Sequence, residues 1–215
     1  MEEQGFVKVF LKVLKNLILG FKIKLNRRLL MQIKLPQLLE PFREQLLQTQ
    51  KTFIRATSQA LRKTKLWESK VGGVPYLPKS LAWPTNPEGR GLFFLAQINF
   101  AETPPLAPFP LKGILQFFIN DDDLYGMDFD NGENPDTFRV LFHPEVVEIE
   151  SQLQTKLPTT TWDESMLPHH PDESYPLIFG LAEEVVPITD YQFYQQLGSE
   201  FFRQFGEKEW DVMGE

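Results

Sequence analysis

A run of polar and acidic residues in the middle of the chain could supply oxygen ligands to a divalent cation, since Ca²⁺ and Mg²⁺ prefer such ligands. Its members are Asn120, Asp121, Asp122, Asp123, Asp128, Asp130, Glu133 and Asp136. The EF-hand template fails, because a loop with Gly132 at its sixth position would begin at Met127 and end at Phe138. We therefore predict a solvated turn in which Asp and Asn side chains bond to nearby backbone groups, with no metal site.

The histidines are the other candidate metal ligands, and the chain has three of them: His143, His169 and His170. Adjacent side chains on an extended chain point in different directions, so His169 and His170 would rarely bind one ion. Prolines and acidic residues surround this pair, which predicts a surface loop. His143 precedes a proline at the end of a predicted strand, and we interpret it as structural.

The sequence offers no clear nucleophile or phosphate-binding loop. The chain has no Cys, which removes thiolate chemistry and disulfides and fits a reducing cytoplasm. No serine lies in a Gly-x-Ser-x-Gly elbow, although a Ser–His–Asp triad assembles in space and stays open at this point. Gly72-Gly73 lacks the Gly-Lys-Ser/Thr ending of a phosphate loop. We predict no catalytic residue and no cofactor.

Three amide side chains interrupt otherwise apolar segments: Gln97, Asn99 and Gln116. If they are buried they need partners, because an unsatisfied amide costs about 1–3 kcal/mol. One interpretation satisfies them from the backbone within a core. The other places them in a cleft that would bind a small ligand or serve an unrecognised hydrolase. Its lining would be Tyr76, Trp83, Gln97, Gln116 and Tyr125.

Helices are predicted at both ends of the chain. Residues 6–31 place apolar residues at helical spacing, with lysines gathered on the opposite side. Residues 36–63 show a second amphipathic pattern, with a proline in the first turn. Residues 189–212 show a third, which opens with the spacing of a capping box.

Short apolar segments bounded by Pro-rich and Gly-rich turns predict antiparallel strands. They are Leu92–Phe100, Gly113–Asn120, Phe138–Phe142, Val146–Glu150 and Glu183–Ile188. No long helical segment lies between the first two, which argues against a parallel crossover. Residues 151–176 are polar and Pro-rich and predict a long loop. The expected fold class is α+β, with N-terminal helices, an antiparallel β-sheet core and a C-terminal helix.

The net charge of −7 is divided unevenly along the chain. Residues 1–70 hold 15 Lys and Arg against 5 Asp and Glu, whereas residues 71–215 hold 7 against 24. The acidic body would repel phosphate, so nucleic acid is not an expected partner. Two interpretations of the basic segment 6–31 stay open: attachment to an anionic membrane surface, or docking onto an acidic protein surface in this chain or another. Its frequent lysines argue against a membrane-spanning helix.

Several segments together resemble the bacterial YwqG-like family in order and spacing. They are residues 67–78 (WESKVGGVPYLP), 94–100 (FLAQINF), 113–119 (GILQFFI), 122–126 (DDLYG), 138–140 (FRV) and 190–193 (DYQF). The resemblance implies an α+β domain over residues 36–215 behind a basic extension over residues 1–35. It implies no established activity or cofactor. The residues singled out by this resemblance or by the cleft are Gly72, Gly73, Pro75, Tyr76, Pro78, Trp83, Gln97, Asn99, Gln116, Asp122, Asp123, Tyr125 and Gly126.

The resemblance also implies a domain truncated at its C-terminus, because family members usually continue past the last helix. Missing strands would leave a sheet edge open, so we expect self-association through that edge. The expected function is that of a non-catalytic, cytoplasmic protein-binding module. The alternatives are a hydrolase or small-ligand-binding domain that uses the polar cleft, and peripheral membrane attachment through residues 6–31.

Overall fold

The computed structural model describes Leu35 and residues 37–129, 131–132, 134–187, 190–198, 201 and 203. These residues fall into two compact units: a larger unit, Ile54–Gly180, and a smaller unit formed by the residues before Ile54 and after Gly180. The predicted helix over residues 6–31 lies outside the described residues, and the domain division at residue 35 stays a prediction. No described helix has the length and apolar character that crossing a bilayer demands.

The smaller unit is built around one apolar cluster. Its helical segments are the 3-10 helix Gln37–Phe42, helix α1 (Arg43–Gln48), the short helix α2 (Tyr191–Phe193) and the π-helical turn Tyr194–Gly198. The buried members of the cluster are Phe42, Leu46, Val186, Phe193, Leu197 and Phe201. Each buried side chain of this size contributes about 1.5–3 kcal/mol, and that burial stabilises helices too short to persist alone.

The predicted helix over residues 36–63 is wrong beyond Gln48, because the chain turns there into strand β1 (Lys51–Ser58). Thr49 lies at the transition from the helix to the strand. Its Oγ1 donates to the Leu46 carbonyl at 2.6 Å and accepts the Val186 N–H at 2.8 Å. β-Branched and aromatic residues make up half of the segment KTFIRATS, which favours a strand.

The predicted helix over residues 189–212 is described only in part. Helix α2 begins after Asp190, whose Oδ1 accepts the Gln192 N–H at 2.8 Å. The π-helical turn follows and ends at Gly198, a residue type that weakens helices. The rest of the predicted helix stays a prediction.

A six-stranded sheet runs in the order β1-β6-β2-β3-β4-β5. The other strands are β2 (Lys70–Gly72), β3 (Phe93–Asn99), β4 (Ile114–Ile119), β5 (Phe138–His143) and β6 (Ser174–Glu184). The pairs β6–β2, β2–β3, β3–β4 and β4–β5 are antiparallel. The predictions that became β3, β4 and β5 are confirmed. The described chain is mostly sheet with a small helical content, which is consistent with α+β.

The strand predicted at Val146–Glu150 is wrong. Tyr76 Oη accepts the Val147 N–H at 3.1 Å, so this backbone donor is satisfied by a side chain and not by a neighbouring strand. The chain then enters the 3-10 helix Glu150–Gln152. A local apolar pattern predicted a strand, but no partner strand lies beside it among the described residues.

Strand β6 was largely missed, because the strand predicted at Glu183–Ile188 overlaps only its end. Residues 174–176 of β6 lie in the predicted loop over residues 151–176, and residues 177–182 lie between that loop and the predicted strand. Pro176 and Gly180 resemble loop residues, yet long-range pairing with β2 makes this segment extended. Pairing with β2 therefore determined the conformation of this segment, although its local composition favours a loop.

Two apolar clusters hold the connecting segments of the larger unit on its sheet. One joins Tyr76, Ile114 and Leu153, and the other joins Leu92, Phe94 and Phe118. Trp83 packs edge-on against Phe118, with ring centroids 5.6 Å apart. These contacts anchor the chain before β3 and after β5, which fixes the surroundings of β3 and β4.

Candidate functional site

Polar side chains from three neighbouring strands meet inside the larger unit. The register places Gln97 of β3 opposite both Gln116 of β4 and Lys70 of β2. Gln97 and Gln116 are fully buried, and Lys70 and Asn99 are nearly so. These four residues form what we call the polar cluster. Opposed residues of antiparallel strands lie about 5 Å apart at Cβ, so the register itself brings these side chains together.

The two glutamine amides have one arrangement that satisfies their partners. Gln97 Oε1 accepts the Tyr76 N–H at 2.8 Å and a Gln116 Nε2 proton at 3.0 Å. Gln116 Nε2 also donates to the Tyr76 carbonyl at 2.6 Å, which leaves Gln116 Oε1 facing His143 Nε2 at 2.8 Å. A carbonyl oxygen only accepts, so His143 carries a proton on Nε2. Burial lowers the pKa of His143 and favours its neutral form.

The polar cluster also holds the turn at residues 65–68, just before β2. Gln97 Nε2 donates to two carbonyls of this turn at 2.7 Å each, and Asn99 Nδ2 donates to a third at 3.0 Å. Lys70 Nζ donates to the fourth carbonyl, that of Lys65, at 2.9 Å. It also donates at 3.3 Å to the Leu66 carbonyl, which Gln97 reaches as well. All four carbonyls thus accept from side chains of the sheet, which replace the water they lose.

Lys70 is the only lysine among the buried polar residues of the described chain, with a relative exposure of 1%. Burial lowers its pKa to about 7, against the opposing attraction of Glu68 and Glu102. Glu102 is held in place because its Oε2 accepts the Ser69 N–H at 2.8 Å. The amine of Lys70 points into the protein toward carbonyl oxygens, so this arrangement stabilises the turn and presents no reactive amine to solvent.

The Gly72-Gly73 motif allows β6 to approach the turn after β2. Both glycines have positive φ, 70° and 69°, a conformation that other residues rarely adopt. A Cβ at Gly72 would collide with the Glu173 carbonyl and lie 2.7 Å from His169 Cε1. The following motif residues continue this scaffold: Pro75 and Tyr76 are buried, and Pro78 forms an isolated bridge with Leu153.

The adjacent histidines diverge, as expected for an extended segment. His169 packs on the Phe93 ring with centroids 4.8 Å apart, and its Nε2 lies 3.3 Å from the Leu95 carbonyl. His170 Nδ1 instead accepts the Asp172 N–H at 3.3 Å. Within the described part of the chain, no group of three or more His, Asp or Glu side chains is placed to hold a metal ion.

Two residues of the acidic run, Asp121 and Asp122, have different structural roles. Asp121 faces inward, where its Oδ2 accepts from Arg90 Nη2 at 2.6 Å and from the Asp163 N–H at 2.8 Å. Asp122 organises the turn that follows. Its Oδ1 accepts the Leu124 N–H at 3.0 Å and the Gly126 N–H at 2.9 Å, and its Oδ2 accepts from Asn120 at 2.8 Å. Burial works to raise the pKa of Asp122, but these hydrogen bonds lower it below its ordinary value.

This turn presents apolar side chains to solvent, and we call residues 122–129 the tip loop. Tyr125 is a non-glycine residue with positive φ, 54°, followed by Gly126 at 83°. Thr137 Oγ1 donates to the Gly126 carbonyl at 2.7 Å and ties the loop to the start of β5. The exposed apolar residues are Leu124 at 41%, Tyr125 at 48%, Met127 at 59% and Phe129 at 78%. Asp123 is exposed beside them.

Three of the five residues proposed for a cleft lie together, and the other two lie elsewhere. Gln97, Gln116 and Tyr76 share the buried hydrogen-bond network, whereas Trp83 belongs to the apolar cluster around Phe118 and Tyr125 lies in the tip loop. Trp83 Nε1 donates to the Leu92 carbonyl at 2.8 Å. Trp83 and Tyr125 thus have surroundings separate from the network, and neither glutamine lines either of the two grooves described next.

Two open grooves lie elsewhere on the larger unit. The larger, of about 720 Å³, runs between residues 61–67 and residues 172–174. Thr64 Oγ1 and Ser174 Oγ lie 2.7 Å apart at this groove. The smaller, of about 340 Å³, includes Glu102 and residues 176–179 in its lining. Both combine positive and negative side chains.

Sequence reasoning missed Lys70 and the exposed residues of the tip loop other than Tyr125. Lys70 gave no local signal, because a lysine is usually exposed and its burial depends on neighbouring strands. The tip loop did carry a signal. Leu124, Met127 and Phe129 are large apolar residues within a segment otherwise rich in Asp and Asn, and such a segment offers few apolar neighbours that could bury them.

Comparison with known protein families finds a match over most of the chain. Residues 69–215 match a family described as Domain of unknown function (DUF1963). Comparison with curated proteins finds no match. The matched residues include strands β2 to β6, the polar cluster and the tip loop.

Proposed function

The chain belongs to the DUF1963 family, a domain of unknown function, and we propose that it acts as a non-catalytic protein-binding module that uses the tip loop. The observation that carries this proposal is the exposure of four large apolar side chains on a turn that Asp122 holds in place. Solvent-exposed apolar patches on a folded protein commonly mark interaction sites. The motif similarity also supports a YwqG-like assignment within this family.

The tip loop is organised before any partner binds. Asp122 accepts two backbone N–H groups within the loop, and Tyr125 adopts a conformation that costs a non-glycine residue about 1–2 kcal/mol. Such strain persists only where surrounding contacts enforce it, and it is concentrated at functional sites. A loop that is already ordered loses less entropy on binding, which strengthens association for the same contact area.

The tip loop continues into an edge of the sheet. Strand β5 is last in the strand order, and among the described strands only β4 pairs with it. Its segment FRVLFH contains a single charged residue, Arg139. An edge strand of this kind can accept an additional strand from another protein. Partner binding would therefore combine side-chain contacts at the tip loop with backbone hydrogen bonds along β5.

Site-specific photocrosslinking tests this proposal. A benzoyl-phenylalanine replaces Phe129 in one variant of the full chain and Leu111 in a control variant expressed in the same cells. Leu111 is 71% exposed and precedes β4, whereas Phe129 follows it, so the two positions lie at opposite ends of the strand. We expect covalent protein adducts from position 129 and few from position 111. Equal adducts from both positions, or none from position 129, would contradict the proposal.

The larger groove favours a second candidate, a small-ligand-binding or hydrolytic role. Its volume of about 720 Å³ falls in the range of ligand pockets, and Ser174 and Thr64 offer hydroxyl groups there. Tryptophan fluorescence, to which Trp67 in the lining of the groove contributes, can be followed during screening of small hydrophilic ligands and ester substrates. A saturable change or turnover that Ser174→Ala removes, with Ser151→Ala as control, would favour this role. No change with any ligand class would remove it.

A further inference from the structure

The tip loop combines exposed apolar side chains with a negative surrounding, and this combination restricts its partner. Residues 120–137 contain seven Asp and Glu and no Lys or Arg. Asp123 and Asp136 are exposed in the described structure. A surface of this composition would repel an anionic membrane or a nucleic acid. It favours a partner that presents basic and large apolar residues together.

The chain itself contains a segment of that chemistry. Residues 6–31 hold seven Lys and Arg and no Asp or Glu. Phe10, Leu14 and Phe21 lie at spacing that places them on one side of a helix, with lysines opposite. The positive charges of this segment therefore complement the acidic residues around the tip loop, among which Asp121 is already buried and paired with Arg90.

We infer that the tip loop binds the basic amphipathic segment 6–31 of a second copy of this chain. This inference rests on the proposed function, because it names the partner of the same surface. Met127 suits such a partner, since its flexible thioether adapts to the irregular apolar side of a helix. Tyr125 and Phe129 supply the aromatic contacts that dominate binding energy at protein interfaces.

The contact would join unlike surfaces, the tip loop of one copy and the basic segment of the next. Such a heterologous contact extends from copy to copy unless the geometry closes it into a ring. Association should therefore increase with concentration. It should also weaken as salt screens the charges, because the charged groups concerned are exposed.

A fluorescent peptide of residues 6–31, titrated with the full chain and followed by anisotropy, tests the inference. We expect saturable binding that weakens about tenfold or more when Met127→Ser and Phe129→Ser are combined. Leu111→Ser, which removes another exposed apolar residue, should leave affinity within about twofold of the unaltered chain. A peptide of the same composition with its apolar spacing scrambled should bind about tenfold more weakly.

A second pair of variants isolates the charge contribution. Asp123→Asn combined with Asp136→Asn should weaken the peptide several-fold at low salt, and the difference should shrink as NaCl is raised. Sedimentation velocity of the full chain should show concentration-dependent association that the Met127→Ser, Phe129→Ser variant loses. The inference is supported only if peptide binding and self-association both weaken in the tip-loop variant.

Four outcomes would overturn it. Equal binding of the peptide to the unaltered chain and to the tip-loop variant would place its site elsewhere. Binding of the peptide to vesicles of anionic phospholipid but not to the chain would assign segment 6–31 to a membrane surface. Failure of the peptide to bind while position 129 still crosslinks to another protein would show that the inference is wrong and that the proposed function stands. Absence of both peptide binding and adducts would remove both.

Discussion

Two regions of the larger unit reverse the usual placement of polar and apolar side chains. In the polar cluster, the side chains of Lys70, Gln97 and Gln116 lie within the sheet at exposures no higher than 1%. In the tip loop, Met127 and Phe129 are exposed at 59% and 78%. Strand β4 connects the regions, because it contains Gln116 and leads directly into the tip loop.

The difference between the regions lies in how many partners each group has. Every described amide of the polar cluster donates and accepts hydrogen bonds within the chain. The exposed apolar residues of the tip loop have no comparable enclosure. Buried polar groups with complete partners indicate a structural role, whereas apolar groups held in water indicate contact with another molecule.

Gln97→Leu should produce one of the largest effects on stability. The change leaves the buried Tyr76 N–H and the Glu68 carbonyl without the partners that Gln97 provides. At about 1–3 kcal/mol for each unsatisfied group, we expect a loss of roughly 3–5 kcal/mol in the free energy of unfolding, measured with urea. Gln59→Leu is the matched control, because its amide is exposed and donates to the neighbouring Ser58 carbonyl. Equal losses in the two variants would contradict a structural role for the polar cluster.

Gly72→Ala should destabilise the chain by about 2–3 kcal/mol, since it combines an unfavourable φ with a collision. The added Cβ meets the Glu173 carbonyl, which is backbone and cannot move aside easily. Gly89 also has positive φ, 78°, but nothing lies within 4 Å of its added Cβ. Gly89→Ala should therefore cost about 1 kcal/mol. If thermal or urea unfolding gave both variants the same loss, close packing of β6 at Gly72 would not be responsible.

Lys70 should make stability depend on pH. Its folded pKa is about 7, whereas a lysine in the unfolded chain has a value near 10.4. Between these values the unfolded chain binds more protons, so the contribution of Lys70 to the unfolding free energy rises with pH by up to about 1.4 kcal/mol per unit. Lys70→Met should remove that rise between pH 7 and pH 9 in urea titrations. Lys79→Met, at an exposed position, controls for the lost charge, and an unchanged rise in Lys70→Met would refute this account.

Asp122→Ala should loosen the tip loop while changing global stability by about 1 kcal/mol or less. Hydrogen exchange of the Leu124 and Gly126 amides should accelerate about tenfold, because Asp122 accepts both N–H groups. The pKa of Asp122 is lowered, so protection should be complete above the ordinary value near 4 and lost as pH falls through the folded value. Asp123→Ala is the neighbouring control. Unaltered exchange in Asp122→Ala would show that other contacts order the loop.

Phe129→Ser should have the smallest effect on folding, within about 0.5 kcal/mol, because the side chain is 78% exposed. Phe118→Ser, which alters a fully buried ring that contacts Trp83 and Phe94, should cost several kcal/mol, on the order of 3–5. The two substitutions compare the same chemistry inside and outside the sheet. A loss above about 1.5 kcal/mol for Phe129→Ser would mean that the tip loop belongs to the core.

Strands β3, β4 and β5 could be predicted because each is a short apolar segment between turn residues. Strand β1 could not, since its apolar spacing also fits a helix and only its position beside β6 decides between the two. The polar character of Gln97 and Gln116 was visible in the sequence. Their partners were not, because Gln116 and Tyr76 are 40 residues apart.

The sequence by itself determined features that depend on residues close together in the chain. These are the absence of thiol chemistry, the division of charge, three strands, and an Asp-centred turn in the acidic run. The tertiary structure decided that Lys70 is buried, that Gln97 and Gln116 satisfy one another, and that Phe129 stays in water. The reason is physical: a strand's register decides which side chains meet, and that register depends on partners distant in sequence.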